Sequence, residues 1–276
     1  MDLQIKQLHT VEELQEMRMV ESMIWGEDVI PVHQTLTVAK NGGIILGGYI
    51  EGKLVGILYS FPGIKNGKLH LCSHMLGFLP EYRSKGYGKL MKEKQKQLAV
   101  EQGYQLITWT FDPMESANAY LNIGKLHGIC RTYIENCYGD SDDLLSSGLP
   151  TDRFLVERYI TSEHAQERST YAYETRQYAA NVLQNEAGYP YVHSFNKALL
   201  DDLQNVEVVA VTVPTQFQQM KKDDFPLAKE WRWKTRELFT KLFAESFVIV
   251  DVVRTDSKVS QEYILVKQDN VNIQFN

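Results

Sequence analysis

Cysteine is scarce: Cys72, Cys130 and Cys137 are the only three among 276 residues, and they lack metal-ligand spacing. An odd number of separated thiols points to buried or partly buried free cysteines rather than a disulfide framework. Long hydrophobic runs are missing too. No window approaches the roughly 18 uninterrupted apolar residues of a membrane span, and Met1-Asp2-Leu3-Gln4 does not open a basic segment followed by an apolar one. These absences lead us to expect a cytoplasmic protein with no membrane partner. Positive charge is in deficit, with 29 Lys and Arg against 35 Asp and Glu and a net charge of −6. With no basic run or aromatic-basic alternation, that balance argues against a nucleic-acid partner. No Gly-x-x-x-x-Gly-Lys-Ser/Thr run occurs, which sets aside a P-loop.

What is present is a core-forming composition, 43% hydrophobic, long enough for two domains. One basic, glycine-punctuated turn stands out, Arg83-Ser84-Lys85-Gly86-Tyr87-Gly88. It follows the apolar run Leu69 to Leu79, which Pro80 ends, and precedes good helix formers from Lys89 to Gln102. A helix N-terminus presents unpaired N–H groups and the positive end of its dipole to an anion. Gly86 and Gly88 let the backbone approach a pyrophosphate, and Arg83, Lys85 and Lys89 add charge. The turn is not Gly-x-Gly-x-x-Gly, so a Rossmann cradle does not fit. A plain strand-to-helix connection with solvated charges is the alternative reading.

This Arg-x-x-Gly-x-Gly turn resembles that of the GNAT superfamily of acyl-CoA-dependent N-acyltransferases. The likeness extends along Leu3 to Gly139. Ile5 to Leu8 reads as a first strand, and Thr10 with Glu13 as a capping box for a helix over Val11 to Trp25. A second helix is expected near Val32 to Asn41, then a hairpin of Gly43 to Tyr49 and Lys53 to Phe61 around Glu51-Gly52. His70 to Leu79 reads as the central strand and Tyr104 to Phe111 as the next, closed by Asp112-Pro113. Ser116 is expected to cap a helix through Leu126, and Ile129 to Ile134 to begin another strand.

The resemblance implies an α/β fold, the GNAT fold, with a mixed, mostly antiparallel central sheet. It also implies acetyl-CoA or another acyl-CoA, succinyl-CoA included, as co-substrate, with no metal. The cofactor would contact Arg83, Ser84, Lys85, Gly86, Tyr87, Gly88, Lys89 and Asn118. The main chain of Leu76, Gly77 and Phe78 would pair with the pantetheine arm, the Leu76 N–H facing the thioester oxygen. Amide formation needs a base for the amine. Strand alternation puts His74 on one face with Cys72 and Leu76, and Ser73 and Met75 on the other, which makes His74 the candidate base. A structural histidine is the alternative. The family's tyrosine acid falls at Ile123, so Tyr120 or Tyr133 would have to replace it. Trp109 and Asp112, at the open end of the sheet, are candidates for acceptor contacts.

Four segments, Ser73 to Gly77, Ile107 to Pro113, Asn118 to Tyr120 and Leu149 to Glu157, resemble a long branch of the superfamily. Some of its members are linked to N-succinylation of amino acids beside enolase-superfamily racemases. An acceptor carboxylate would then call for an arginine, Arg131 or Arg153. The expected partner is a small-molecule amine, and since many relatives dimerise, a homodimer is the oligomeric state the resemblance favours.

A catalytic domain over 1–160 and a second α/β lobe over 161–276 are expected. In the second lobe, Glu163 to Gln184 reads as a helix, Val206 to Val213 as a strand, Leu227 to Phe243 as a helix, and Phe247 to Arg254 and Glu262 to Lys267 as strands. This repeats part of the GNAT order without a second Arg-x-x-Gly-x-Gly turn. It reads as a degenerate lobe in which Trp231, Arg232 and Arg236 would either wall the acceptor pocket or pack the helix.

Overall fold

The computed structural model describes residues 2–65, 67–139, 148–166 and 173–273. They divide into two units, one of residues 2–109 and 159–161, the other of the described residues of 110–158 and 162–273. This division differs from the expected boundary at 160. Residues 110–158 group with the C-terminal part because β6 and β7, defined below, share a core with its helices and strands.

In the first unit the order is β1 (Gln4–Gln7), α1 (Val11–Trp25), α2 (Val32–Lys40), β2 (Ile44–Ile50), β3 (Lys53–Lys65), β4 (Lys68–Phe78), α3 (Tyr87–Glu101) and β5 (Leu106–Phe111). The capping box is present: the Glu13 N–H donates to Thr10 Oγ1, and Glu13 Oε2 accepts the Thr10 N–H. Glu51 and Gly52, with φ of 51° and 79°, turn β2 into β3 through the left-handed conformations a two-residue hairpin favours. β1 to β4 pair antiparallel in sequence order. β5 joins β4 in parallel. Leu14, Met17 and Val20 of α1 bury against Ile45, Ile57 and Tyr59 on one face of this sheet. On the other face α3 buries Met91, Gln95 and Ala99.

The second unit opens with the single turn α4 (Ser116–Ala119), then β6 (Ile129–Ile134), β7 (Arg153–Tyr159) and α5 (Glu163–Gln166). It continues through β8 (Gln177–Tyr178), β9 (Ala180–Gln184), β10 (Pro190–Phe195), α6 (Lys197–Asp201), β11 (Val208–Pro214), α7 (Phe217–Asp223), α8 (Phe225–Ala244), β12 (Phe247–Arg254) and β13 (Ser260–Lys267). Its core centres on Phe154, whose ring meets Phe111, Tyr133, Phe239 and Tyr263 edge-on at centroid distances of 4.7 to 5.7 Å. Such edge-to-face contacts set the negative face of one ring against the positive rim of another. The long helix expected over Glu163 to Gln184 is replaced by the short α5, β8 and β9, with 167–172 outside the described residues. β9 pairs with β10, and β8 with β11, so long-range pairing overrides the local helix pattern.

Candidate functional site

The 83–88 turn lies at the N-terminus of the 15-residue helix α3. Ser84 and Gly86 both adopt left-handed backbone, with φ of 61° and 81°, and Gly86 is the N-cap. Turns of this kind aim backbone N–H groups outward, which suits an anion. A Cβ built on Gly86 meets no atom within 4 Å, so the space above the turn is open. Arg83 does more than add charge. Its Nε donates to the Phe78 carbonyl at 2.9 Å and ties the turn to the end of β4. The Tyr87 ring packs on Phe78 at 5.8 Å, and Lys85 Nζ stands 5.1 Å from the Tyr82 ring.

β4 pairs with β5 only at Leu71 with Ile107 and Cys72 with Thr108. Beyond Cys72 it keeps β3 on one edge, through Leu58 with Leu76 and Gly56 with Phe78. The main chain of Leu76, Gly77 and Phe78 therefore lies past the parting of the two parallel strands, in line with the turn.

The register shifts where Tyr59 faces Met75 and Ser60 faces Ser73, leaving His74 as an extra residue in a bulge. The bulge corrects the face assignment. Ser73 points to α3, accepting from Lys92 Nζ at 2.8 Å and Gln95 Nε2 at 2.9 Å, while Met75 packs into the α1 and α2 core. His74 joins Met75 on that side, its ring 6.0 Å from Phe61 and 6.4 Å from Tyr59, and Leu76 faces the opposite way with Phe78. The His74 side chain is exposed, and the partial loss of water beside these rings pulls its pKa below the ordinary imidazole value of 6.5. His74 lines a cavity of about 510 Å³ with Ile30, Gln34, Thr37, Asn41, Tyr59 and Phe61. Nearby, the half-exposed Trp25 lies over Gly77, where an added Cβ would fall 2.5 Å from its ring.

Residues 10–124 match the acetyltransferase (GNAT) family. No curated protein sequence matches the chain. Among solved structures, an acetyltransferase of the GNAT family from Streptococcus pneumoniae is similar at 16% identity, covering 56% of this chain and 98% of its own, with a TM-score of 0.45. A GNAT acetyltransferase from Elizabethkingia anophelis with acetyl-CoA bound is similar at 13% identity, covering 57% of this chain and 97% of its own, TM-score 0.42. The loading GNATL domain of CurA from Lyngbya majuscula is similar at 15% identity, covering 58% of this chain and 98% of its own, TM-score 0.44.

Several expected site residues have other partners. Trp109 is buried on the α3 side, with Lys92 Nζ 3.8 Å from its ring centroid, rather than in the cavity wall. Asp112 is buried, its two oxygens held by Arg232 Nη1 and Nη2 at 2.9 and 2.6 Å, and its Oδ1 also accepts the Met114 N–H. It closes a turn and anchors α8. Arg131 grips Glu157 through Nε and Nη2 at 2.8 and 3.2 Å. Arg153 stacks 5.3 Å from the Tyr138 ring. Trp231 packs the helix and donates to the Pro190 carbonyl, and Arg236 pairs with Asp152.

Tyr120 begins a π-helical turn over Tyr120–Lys125, in which the Leu126 N–H reaches the Leu121 carbonyl. Its ring lies 4.2 Å from the Arg254 guanidinium and 5.1 Å from Lys125 Nζ. Asn118 is exposed on α4, which Ser116 does not cap: its hydroxyl donates to Gln261 instead. Ile123 is core. Tyr133 donates to Asp152 at 2.7 Å, and burial followed by that carboxylate drives its pKa far above the phenol value, which removes it as an acid. Among the described residues no cluster of His, Cys, Asp or Glu is placed to hold a metal, and no helix is long and apolar enough to cross a membrane.

Sequence reasoning missed the cavity and the carboxylate behind it, Glu21. Its Oε1 accepts the Ile30 N–H at 3.0 Å, and its Oε2 is buried with no hydrogen-bond partner. The signal was available: Glu21 interrupts the apolar stripe Leu14, Met17, Ile24 at helical spacing.

Proposed function

We propose that the protein is an acyl-CoA-dependent N-acyltransferase that moves an acetyl or succinyl group to the amine of a small metabolite. The observation that carries this reading is the alignment of the Ser84–Gly86 cradle with the part of β4 that has parted from β5. Backbone N–H groups of the turn and Arg83, Lys85 and Lys89 would hold the pyrophosphate. The main chain of Leu76, Gly77 and Phe78 would hold the arm, and the Leu76 N–H would face the developing oxyanion. Bound acyl-CoA supplies a thioester: the amine nitrogen bonds to its carbonyl carbon as the C–S bond breaks, and the departing sulfur gains one proton for the one the nitrogen sheds. His74 takes that proton. A neutral imidazole suits the task, and its lowered pKa keeps it neutral at physiological pH. A coenzyme A thiol is acidic enough to leave without a proton donor.

An amino acid acceptor needs a cation for its carboxylate, and Arg131 and Arg153 would have to leave Glu157 and Tyr138 to supply it. The cavity beside His74, at about 510 Å³, is of metabolite size. Buried Ile123, at the family's tyrosine position, favours a second reading, an acyl-CoA sensor without turnover. The deciding experiment is thiol release from acetyl-CoA and succinyl-CoA with D- and L-amino acids, simple amines and a peptide library. Release with one amine class supports the transferase, and acyl-CoA binding without any release supports the sensor.

A further inference from the structure

The cavity that His74 lines has a chemistry of its own. Its polar groups are neutral: the amides of Gln34 and Asn41 and the hydroxyls of Thr37 and Tyr59. The rest of the wall is hydrocarbon or ring, from Ile30, Val38, Phe61 and Pro62, and no lysine or arginine lines it. A carboxylate entering such a space gives up part of its hydration without meeting a cation, which costs free energy.

A buried carboxylate stands behind this wall. Glu21 is 1% exposed and shares its neighbours with the cavity, since it accepts the main-chain N–H of the lining residue Ile30 and its charge acts on the lining Tyr59. Its second oxygen has no hydrogen-bond partner. The charged groups that act on Glu21 in turn are Arg18 and Asp28, both exposed and of opposite sign. A carboxylate held in this way favours a cation nearby and repels an anion. Its burial raises the Glu21 pKa, so a cation brought into the cavity would also favour the ionised form of this group.

We infer that the cavity takes a primary amine with an uncharged aryl or alkyl body and no carboxylate, its ammonium end drawn by the Glu21 charge through the Tyr59 wall. The inference rests on the transferase reading for the amine's fate, and on the lining alone for its class. Glu21 is a positioning residue here, since Tyr59 and Ile30 stand between it and the ligand.

The experiment compares matched acceptors: 2-phenylethylamine, phenylalanine amide and phenylalanine, and likewise hexylamine and 6-aminohexanoate. Thiol release from acetyl-CoA gives kcat/KM, and ligand-observed NMR on the protein loaded with coenzyme A gives binding without chemistry. We expect the amines and the amide to bind and react, with kcat/KM for the carboxylates lower by roughly a hundredfold. Glu21→Gln should raise KM for the amines several-fold while kcat and acyl-CoA affinity hold. Thr37→Arg, on the cavity rim, should bring the carboxylates back. Carboxylate acceptors used as well as their amines would overturn the inference while leaving the transferase in place. Amine binding without thiol release would keep the cavity assignment and overturn the transferase. Failure of every amine to bind would overturn the cavity assignment itself, and a Glu21→Gln protein with unaltered KM would remove Glu21 from it.

Discussion

The Arg232 guanidinium holds the Asp112 carboxylate in a fork, Nη1 to Oδ1 at 2.9 Å and Nη2 to Oδ2 at 2.6 Å, across 120 residues of sequence. Both side chains are sealed from solvent, at 2% and 7% exposure. Breaking a buried pair from one side leaves the other charge stranded. Asp112→Ala should therefore lower stability by about 3–5 kcal/mol in urea denaturation. Replacing both, Asp112→Leu with Arg232→Met, should recover most of that loss, because two desolvation costs disappear together. A double variant no more stable than the single would mean the pair itself holds α8.

At the turn, Gly86→Asp puts a carboxylate where an anion is expected. Acyl-CoA affinity by calorimetry should fall by roughly a hundredfold, since two like charges about 4 Å apart near a protein surface repel by a few kcal/mol. Gly86→Ala is the control: with φ at 81° it strains the backbone by about 1 kcal/mol, yet its methyl meets nothing and binding should survive. Equal affinity for all three proteins would sink the cradle.

For His74, the expected outcome is kinetic. His74→Ala should cut turnover by roughly 10²–10⁴-fold with acyl-CoA affinity unchanged. In the native protein the rate should rise with pH through a pKa below the ordinary 6.5, because partial loss of water favours the neutral ring. A variant that keeps this acidic limb would clear His74 of the role.

His164, 4% exposed, has its pKa lowered to about 4, first by burial and then by His127, with Asp251 opposing. The unfolded chain binds a proton near 6.5 that the folded chain refuses until about 4, so stability declines as pH falls through that interval, by about 3 kcal/mol in all. Denaturation midpoints from pH 7 to 4 should show it. His164→Gln should flatten the curve over that range.

How far the sequence revealed these features depended on how local they are. The capping box of α1, the Glu51-Gly52 hairpin and the glycine turn before α3 involve neighbours within a few residues, and each stands where its residues placed it. The β-branched run Phe247–Arg254 forms a strand to the residue. By contrast, Gln177 to Gln184 contains helix formers but takes its structure from β10 and β11, which no local pattern announces. The site divides in the same way. The glycine turn before α3 was legible, whereas the engagements of Asp112 with Arg232 and Arg131 with Glu157 were settled by elements far along the chain.

The extra residue at His74 does to β4 what a frameshift does to a message. Upstream of it the odd-numbered Ser73 turns to α3; downstream the odd-numbered Met75 and Gly77 turn to α1, and the even-numbered Phe78 takes the α3 side. Pairing His74 into the ladder as an ordinary member would invert all that follows, carrying Phe78 away from Tyr87 and Gly77 away from Trp25, whereas deleting it would leave their faces unchanged. The two faces of β4 keep their phase only because the strand miscounts once.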